Sequence, residues 1–222
     1  MRTMARYSMG KWAALSLTLA VLLAAGCSKS AKTPSQSAAA SPETAVQPAA
    51  APEPVSAKKA FALMYRAAHE WSPGAKLIRL SAKEVPGFTN ADGKAAMWEA
   101  IIASPSTGKY RVYSYSIASA PPEIFRGLDA GAELAWHGIT HDAMPVELSL
   151  FKVDSEAAYQ TAAADAARWL KRNPNQALTS LELGATYRFH APVWYVQWGT
   201  TQAGYAVWVD ASTGKVLLAV SE

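Results

Sequence analysis

Val193-Trp194-Tyr195-Val196-Gln197-Trp198 and Tyr205-Ala206-Val207-Trp208-Val209-Asp210-Ala211-Ser212-Thr213-Gly214-Lys215-Val216-Leu217 decide the reading of this chain. Both runs are dense in β-branched and aromatic residues, the composition of strands. The breaks at Gly199 to Gly204 and at Ser212-Thr213-Gly214 read as hairpin turns. Asp210 can accept from a backbone amide two residues on, Gly214 can take a positive φ, and Lys215 restarts the next strand. Asp210, Gly214 and Lys215 are therefore expected to be a structural turn that sets hairpin register. Along a strand Trp194 and Trp198 face one way and Tyr195 the other. One face must cover a helix, so part of this aromatic set belongs to a core. Trp194, Trp198, Tyr205 and Trp208 are the candidate binding surface, to the extent that they are left on an outer face.

The same order of elements occurs twice. Asp154 can cap a helix to about Arg172, with Tyr159, Ala162, Ala163, Ala166, Trp169 and Leu170 along one stripe. Lys171 and Arg172 suit the negative end of the helix dipole, and Asn173-Pro174 ends it. A further strand is expected at Leu178 to Leu183. Earlier, a helix is expected from about Ser56, a plausible N-cap, to Trp71, with Ala57, Phe61, Met64, Ala68 and Trp71 on one face and Pro73-Gly74 as the stop. Strand-like runs follow at Lys76 to Ala82, Ala95 to Ala103 and Tyr110 to Ile117, the last striped by Tyr110, Tyr113 and Tyr115. Ser106-Thr107-Gly108-Lys109 echoes Ser212-Thr213-Gly214-Lys215, and the proline-to-turn spacing is 33 residues in one unit and 38 in the other. The expectation is an α+β chain of two similar units, each a helix packed on a small antiparallel sheet. They span 57–120 and 154–222, with 121–153 as a connection carrying one strand at Val146 to Val153.

The second unit resembles a PepSY domain from roughly Asp154 to Ala219. The resemblance lies in the tryptophan-bearing strand, the hairpin and the Val-Asp-Ala-Ser-Thr-Gly-Lys-Val-Leu ending at Val209 to Leu217. The first unit resembles it more weakly, with Ser104-Pro105 in place of Asp-Ala. The resemblance implies a helix on a small antiparallel sheet in envelope or secreted proteins. PepSY domains also occur in propeptides of secreted metalloproteases, which implies binding or restraint of a peptidase. It carries over no catalytic residue.

The N-terminus speaks to location. Arg2, Arg6 and Lys11 precede an apolar run from Trp12 to Ala25, whose 14 residues are fewer than the ~20 a membrane span needs. Cys27, the single cysteine, follows Leu22-Leu23-Ala24-Ala25-Gly26. It cannot form an internal disulfide. This segment resembles the lipobox of bacterial lipoproteins, with Ala24 where leucine is preferred. Residues 1–26 are thus expected to be a signal peptide, and Cys27 to carry the lipid that holds the chain to a membrane. Ser28 after the cysteine implies the outer membrane, facing the periplasm, if the source has two membranes. Residues 27–56 read as a disordered linker: of the 29 from Ser28 to Ser56, eight are Ala, six Ser and five Pro, with no aromatic.

Charge excludes one class of partner. The chain has 21 basic and 17 acidic residues, but without Arg2, Arg6 and Lys11 the balance is 18 to 17. No basic patch argues for nucleic acid. Enzyme chemistry finds little support either. There is no G-x-S-x-G elbow, P-loop or G-x-G-x-x-G, and the only thiol is assigned to lipid. His137 and His141 beside Asp142 are spaced for a helix face, yet Gly138, Ile139 and Thr140 form helix poorly. On a strand they would stand about 13 Å apart. Position 73 is proline, so His69-Glu70 begins no zinc-protease motif. Asp129 and Glu133 are spaced for a helix face and read as solvated charges. The chain is read as a non-enzyme without cofactor or metal. The expected role is an extracytoplasmic binding or regulatory lipoprotein acting on a peptidase, or else a structural or assembly lipoprotein binding another envelope protein.

Overall fold

The computed structural model describes residues 52–189 and 191–221. The expected signal peptide, Cys27 and the linker as far as residue 51 lie outside the described residues. The elements are β1 (Val55–Ser56), α1 (Ala57–Trp71), β2 (Lys76–Lys83), β3 (Lys94–Ala95), β4 (Met97–Ser104), β5 (Lys109–Ser116), β6 (Gly127–Ala130) and β7 (Leu134–Ala135). They continue with α2 (Ser155–Arg172), β8 (Leu178–Gly184), β9 (Val193–Gly199), β10 (Gly204–Asp210) and β11 (Val216–Ser221).

Nine strands make one sheet in the order β11-β10-β9-β8-β2-β4-β5-β6, with β7 also pairing with β5; β1 and β3 form a separate two-stranded ribbon. This corrects the expected fold class of two units with a sheet each. β2 and β8 are hydrogen-bonded neighbours through Arg79↔Gly184, Leu80↔Leu183 and Ser81↔Glu182. The protein is mostly one antiparallel sheet carrying two helices. The physical reason is the edge problem. Two separate sheets would leave β2 and β8 each with a row of unpaired backbone groups, and joining them satisfies both rows.

Both helices lie on the same face of the sheet. α1 packs over β2, β4 and β5, and α2 over β9, β10 and β11. α1 buries Ala57, Ala60, Phe61, Met64 and Ala68, close to the expected stripe, and α2 buries Ala158, Ala162, Ala166 and Trp169. Strand alternation supplies the opposing layer. Leu80, Trp98, Ala100, Leu181, Leu183, Trp194, Val196 and Val207 are each at most 2 % exposed. Alanines along α2 let its backbone approach the sheet closely enough for the tryptophans to fill the space between.

Three local expectations are corrected. Val146 to Val153 is not a strand: Leu148–Leu150 is a turn of 3-10 helix that Glu147 caps through Ser149 N. The segment instead ties the end of the sheet, with Val146 N–H donating to Leu77 O and both Lys152 and Val153 N–H to Ala211 O. Its alternating apolar residues fix Phe151 in the core rather than a ladder. The linker also stops short of Ser56. Val55 is 7 % exposed, Val55 and Ser56 pair with Ala95 and Lys94, and Trp98 Nε1 donates to Val55 O at 2.9 Å. Proline and alanine upstream do not prevent pairing where one valine finds a buried site. Finally, Ser56 sits at the N-cap position of α1 but its side chain makes no capping bond.

Candidate functional site

The structure sorts the four aromatic candidates by face. Trp194 is fully buried beneath the helices, edge-to-face with Trp98 at 6.3 Å and with Phe151 at 5.9 Å. Its Nε1 donates to Val153 O at 3.0 Å. Trp198 packs on Tyr159 of α2 at 5.8 Å. Tyr205, half-buried, lies against Trp169 at 5.9 Å and donates its hydroxyl to Asp165 Oδ1 at 2.8 Å. These three are helix-side residues and do not belong to an outer binding surface. Only Trp208 points to the opposite, bare face of the sheet, which no helix covers among the described residues. There it meets Tyr195, opposite it in the ladder, with ring centroids 4.8 Å apart. Burial, reinforced by the Glu182 carboxylate, pushes the Tyr195 phenol above its ordinary pKa. Its hydroxyl donates to Gln197 Oε1 at 2.8 Å.

The Asp210 turn is built from backbone bonds. Asp210 Oδ1 accepts from Ser212 N at 2.7 Å, Thr213 N at 3.0 Å and Ser212 Oγ at 2.6 Å. Partial burial pushes this carboxyl upward, but the bonds from Ser212 and Thr213 outweigh it and hold it below the ordinary carboxylate value. Gly214 has φ +75°, and its N–H donates to Asp210 O at 2.8 Å. Asp210 N–H bonds Lys215 O at 2.8 Å, closing the β10–β11 hairpin, while the Lys215 side chain is exposed.

The polar candidates take other roles. Among the described residues no three His, Cys, Asp or Glu side chains gather into a group that could hold a metal. His141 lies against Tyr187 with the rings tilted and their centroids 4.9 Å apart. Asp129 lies on β6 and Glu133 just beyond it, not on a helix. Glu133 accepts from Trp71 Nε1 at 2.7 Å and Arg111 Nη2 at 2.9 Å, bonds that depress its pKa.

The two edges of the sheet differ in kind. On one side β6 has four residues including Asp129, and β7 only two. Gly131 lies between them with its N–H on Val112 O. Such short, interrupted strands are blunted edges. On the other side β11 runs six residues, Val216 to Ser221, and pairs only with β10 among the described residues. It holds neither a charge nor a proline, and Val216, Leu217 and Val220 are 36 %, 43 % and 37 % exposed. The sequence reading missed this feature. Its signal was the uncharged Val-Leu-Leu-Ala-Val-Ser run after the turn, which is an edge because β10 is its one partner among the described residues.

No family model matches this chain, and no curated protein matches it. Among solved structures, the chain is similar to the crystal structure of a "putative lipoprotein" from Clostridium difficile 630. The identity is 10 %, the TM-score 0.45, and the match covers 73 % of this chain and 93 % of that one.

Proposed function

We propose that this protein is a lipid-anchored extracytoplasmic binding module that takes a segment of a protein partner as an added strand on β11. The observation that carries the reading is the β11 edge. An uncharged strand with no partner beyond β10 among the described residues presents a row of backbone donors and acceptors that soluble proteins ordinarily protect with lysine, proline or a covering element. A partner segment pairing there gains main-chain hydrogen bonds, with alternate side chains set against the exposed Val216, Leu217 and Val220. Anchoring rests on the sequence: Cys27 after Leu22 to Gly26 supports lipidation. A peptidase is the finer partner in this reading, because its substrate groove already binds chain in extended form. An assembly role would call for a broad apolar patch, whereas β11 offers a narrow strip.

The test is a photo-crosslinking residue placed at Leu217 in the full chain within its own cells, with Phe125, 64 % exposed, as the control site. A discrete adduct is expected from position 217 alone. It should vanish when Val216→Lys and Val220→Lys are introduced together, since edge lysines oppose strand addition. Equal adducts from both sites, or an adduct indifferent to the lysines, would remove the edge from consideration. In the same cells Cys27→Ser should release the chain from the membrane fraction.

A further inference from the structure

The bare face of the sheet carries three depressions in a row. The first, about 240 Å³, lies among Trp208, Tyr195, Gln197 and Val220. The second, about 210 Å³, shares Trp208 and Tyr195 and adds Glu182, Arg79 and Asp142. The third, about 320 Å³, shares Arg79 and Glu182 and adds Ser81, Ser180 and Glu99. Because neighbours share residues, they form one path crossing β10, β9, β8, β2 and β4 in sheet order. Four strand spacings at ~4.8 Å make it about 19 Å long.

The chemistry of this path selects its occupant. A peptide strand gains its main-chain bonds at a sheet edge, and across this face those groups are already spent within the ladders. A polyanion is disfavoured because Arg79, Lys83 and Arg188, the last with its guanidinium 5.9 Å from the Trp208 ring centroid, are offset by Glu84, Glu99, Glu182 and Asp142, with Lys83 Nζ already 3.1 Å from Glu99. A fatty chain would strip water from these charges without replacing it. What remains is a neutral molecule, long and thin, with apolar faces and many hydroxyls. The Trp208–Tyr195 pair stands between the first two depressions as an aromatic ridge. Its electron-rich faces suit the C–H faces of sugar rings. Carboxylates, serines, Gln197 and Arg79 alongside can bond hydroxyls as acceptors and donors.

We infer that the bare face binds a neutral oligosaccharide laid across β10 to β4, one sugar ring resting on Trp208 and Tyr195 and its neighbours hydrogen-bonded to Glu182, Asp142 and Arg79. This site meets the β11 edge only at Val220 and does not depend on a protein partner there.

The experiment titrates the full chain in detergent with chitohexaose, cellohexaose and maltohexaose, followed by tryptophan fluorescence and calorimetry. Saturable binding of at least one hexasaccharide is expected. Trp208→Ala should weaken it by about tenfold or more and Glu182→Gln severalfold, while Trp208→Phe retains most of it. Near-UV circular dichroism checks that each variant is folded; should Trp208→Ala fail that check, Glu182→Gln and Trp208→Phe decide. The inference is overturned if none of the three sugars binds at about 10 mM. It is equally overturned if binding is unchanged by Trp208→Ala and Glu182→Gln. A concentration-dependent dimer that Trp208→Ala dissolves would assign the face to a second copy instead.

Discussion

Trp98 and Trp194 meet edge-to-face at 6.3 Å beneath the helices, one from β4 and the other from β9. Between them run β2 and β8, whose Leu80 and Leu183 are opposite one another and fully buried. The two tryptophans thus close a single core across the junction. Each also donates its indole N–H to the carbonyl two residues before a helix, Trp98 to Val55 and Trp194 to Val153. The core, the junction and both helix entries are mechanically one object.

That object should unfold in one step. Leu80→Ala leaves a cavity at the junction and is expected to cost about 2–5 kcal/mol. Urea unfolding followed by tryptophan fluorescence and by far-UV circular dichroism should shift together. Two separate transitions would show that the halves are independent.

Asp154 is expected to stabilise both helices. Its Oδ1 accepts from Ser155 N at the start of α2 and from Lys58 N at 3.0 Å in the first turn of α1, while Ser155 Oγ accepts from Ala57 N at 2.9 Å. Asp154→Ala should therefore cost about 2 kcal/mol, at the upper end for an N-cap, because two helix ends lose an acceptor. A urea midpoint unchanged from the parent would contradict the shared cap.

Residues before α1 matter as well. A chain beginning at Ala57 lacks Val55, so Trp98 Nε1 loses its acceptor inside the core. The cost expected is about 1–3 kcal/mol, lowering Tm by several degrees relative to a chain beginning at Ala49. Equal melting temperatures would mean that β1 contributes nothing.

The hairpin turn should respond to backbone change and ignore charge. A β-carbon at Gly214 meets nothing closer than Val153 Cγ2 at 3.7 Å, so any penalty comes from the φ of +75°. Gly214→Val is expected to cost about 1 kcal/mol or more, and exposed Lys215→Ala under about 1 kcal/mol. Chemical denaturation of the two variants side by side separates the effects.

Asp210 adds a pH dependence with a definite sign. Its folded pKa lies below the ordinary 3.8. Its stabilising share is therefore complete above the unfolded value and lost as pH falls through the folded one. The gap in urea midpoint between the parent and Asp210→Ala should be open at neutral pH and narrow progressively as pH falls below 3.8. A gap that persists in acid would mean that the carboxylate charge is not what holds Ser212 and Thr213.

The strands and helices were largely legible in the sequence because the forces that form them are local. Leu181 and Leu183 alternate with Ser180 and Glu182, and that period of two announces β8 without knowledge of its neighbours. The same holds for the α2 stripe, for Pro73 and Pro174 as helix stops, and for the Asp210 turn, whose bonds span at most five residues. Even the split of Trp194 and Trp198 from Tyr195 follows from the pleat.

Which surfaces are left for function was not legible. Alternation says that a strand has two faces, but not which one receives a helix; that choice put Trp194 and Trp198 into the core, set Tyr205 against α2 and left Trp208 outside. Nor can local pattern say that β2 joins β8, a pairing between residues about a hundred positions apart, or that Asp154 caps a helix begun at Ala57. Such contacts are set by competition among all the ways of burying apolar area and pairing backbone groups, and only the assembled chain resolves it. Local pattern was enough for the elements, their turns and the features that suggest an anchor. Only the assembled chain makes β2 and β8 neighbours in one sheet, leaves β11 at its edge among the described residues, and turns Trp208 and Tyr195 away from the helices.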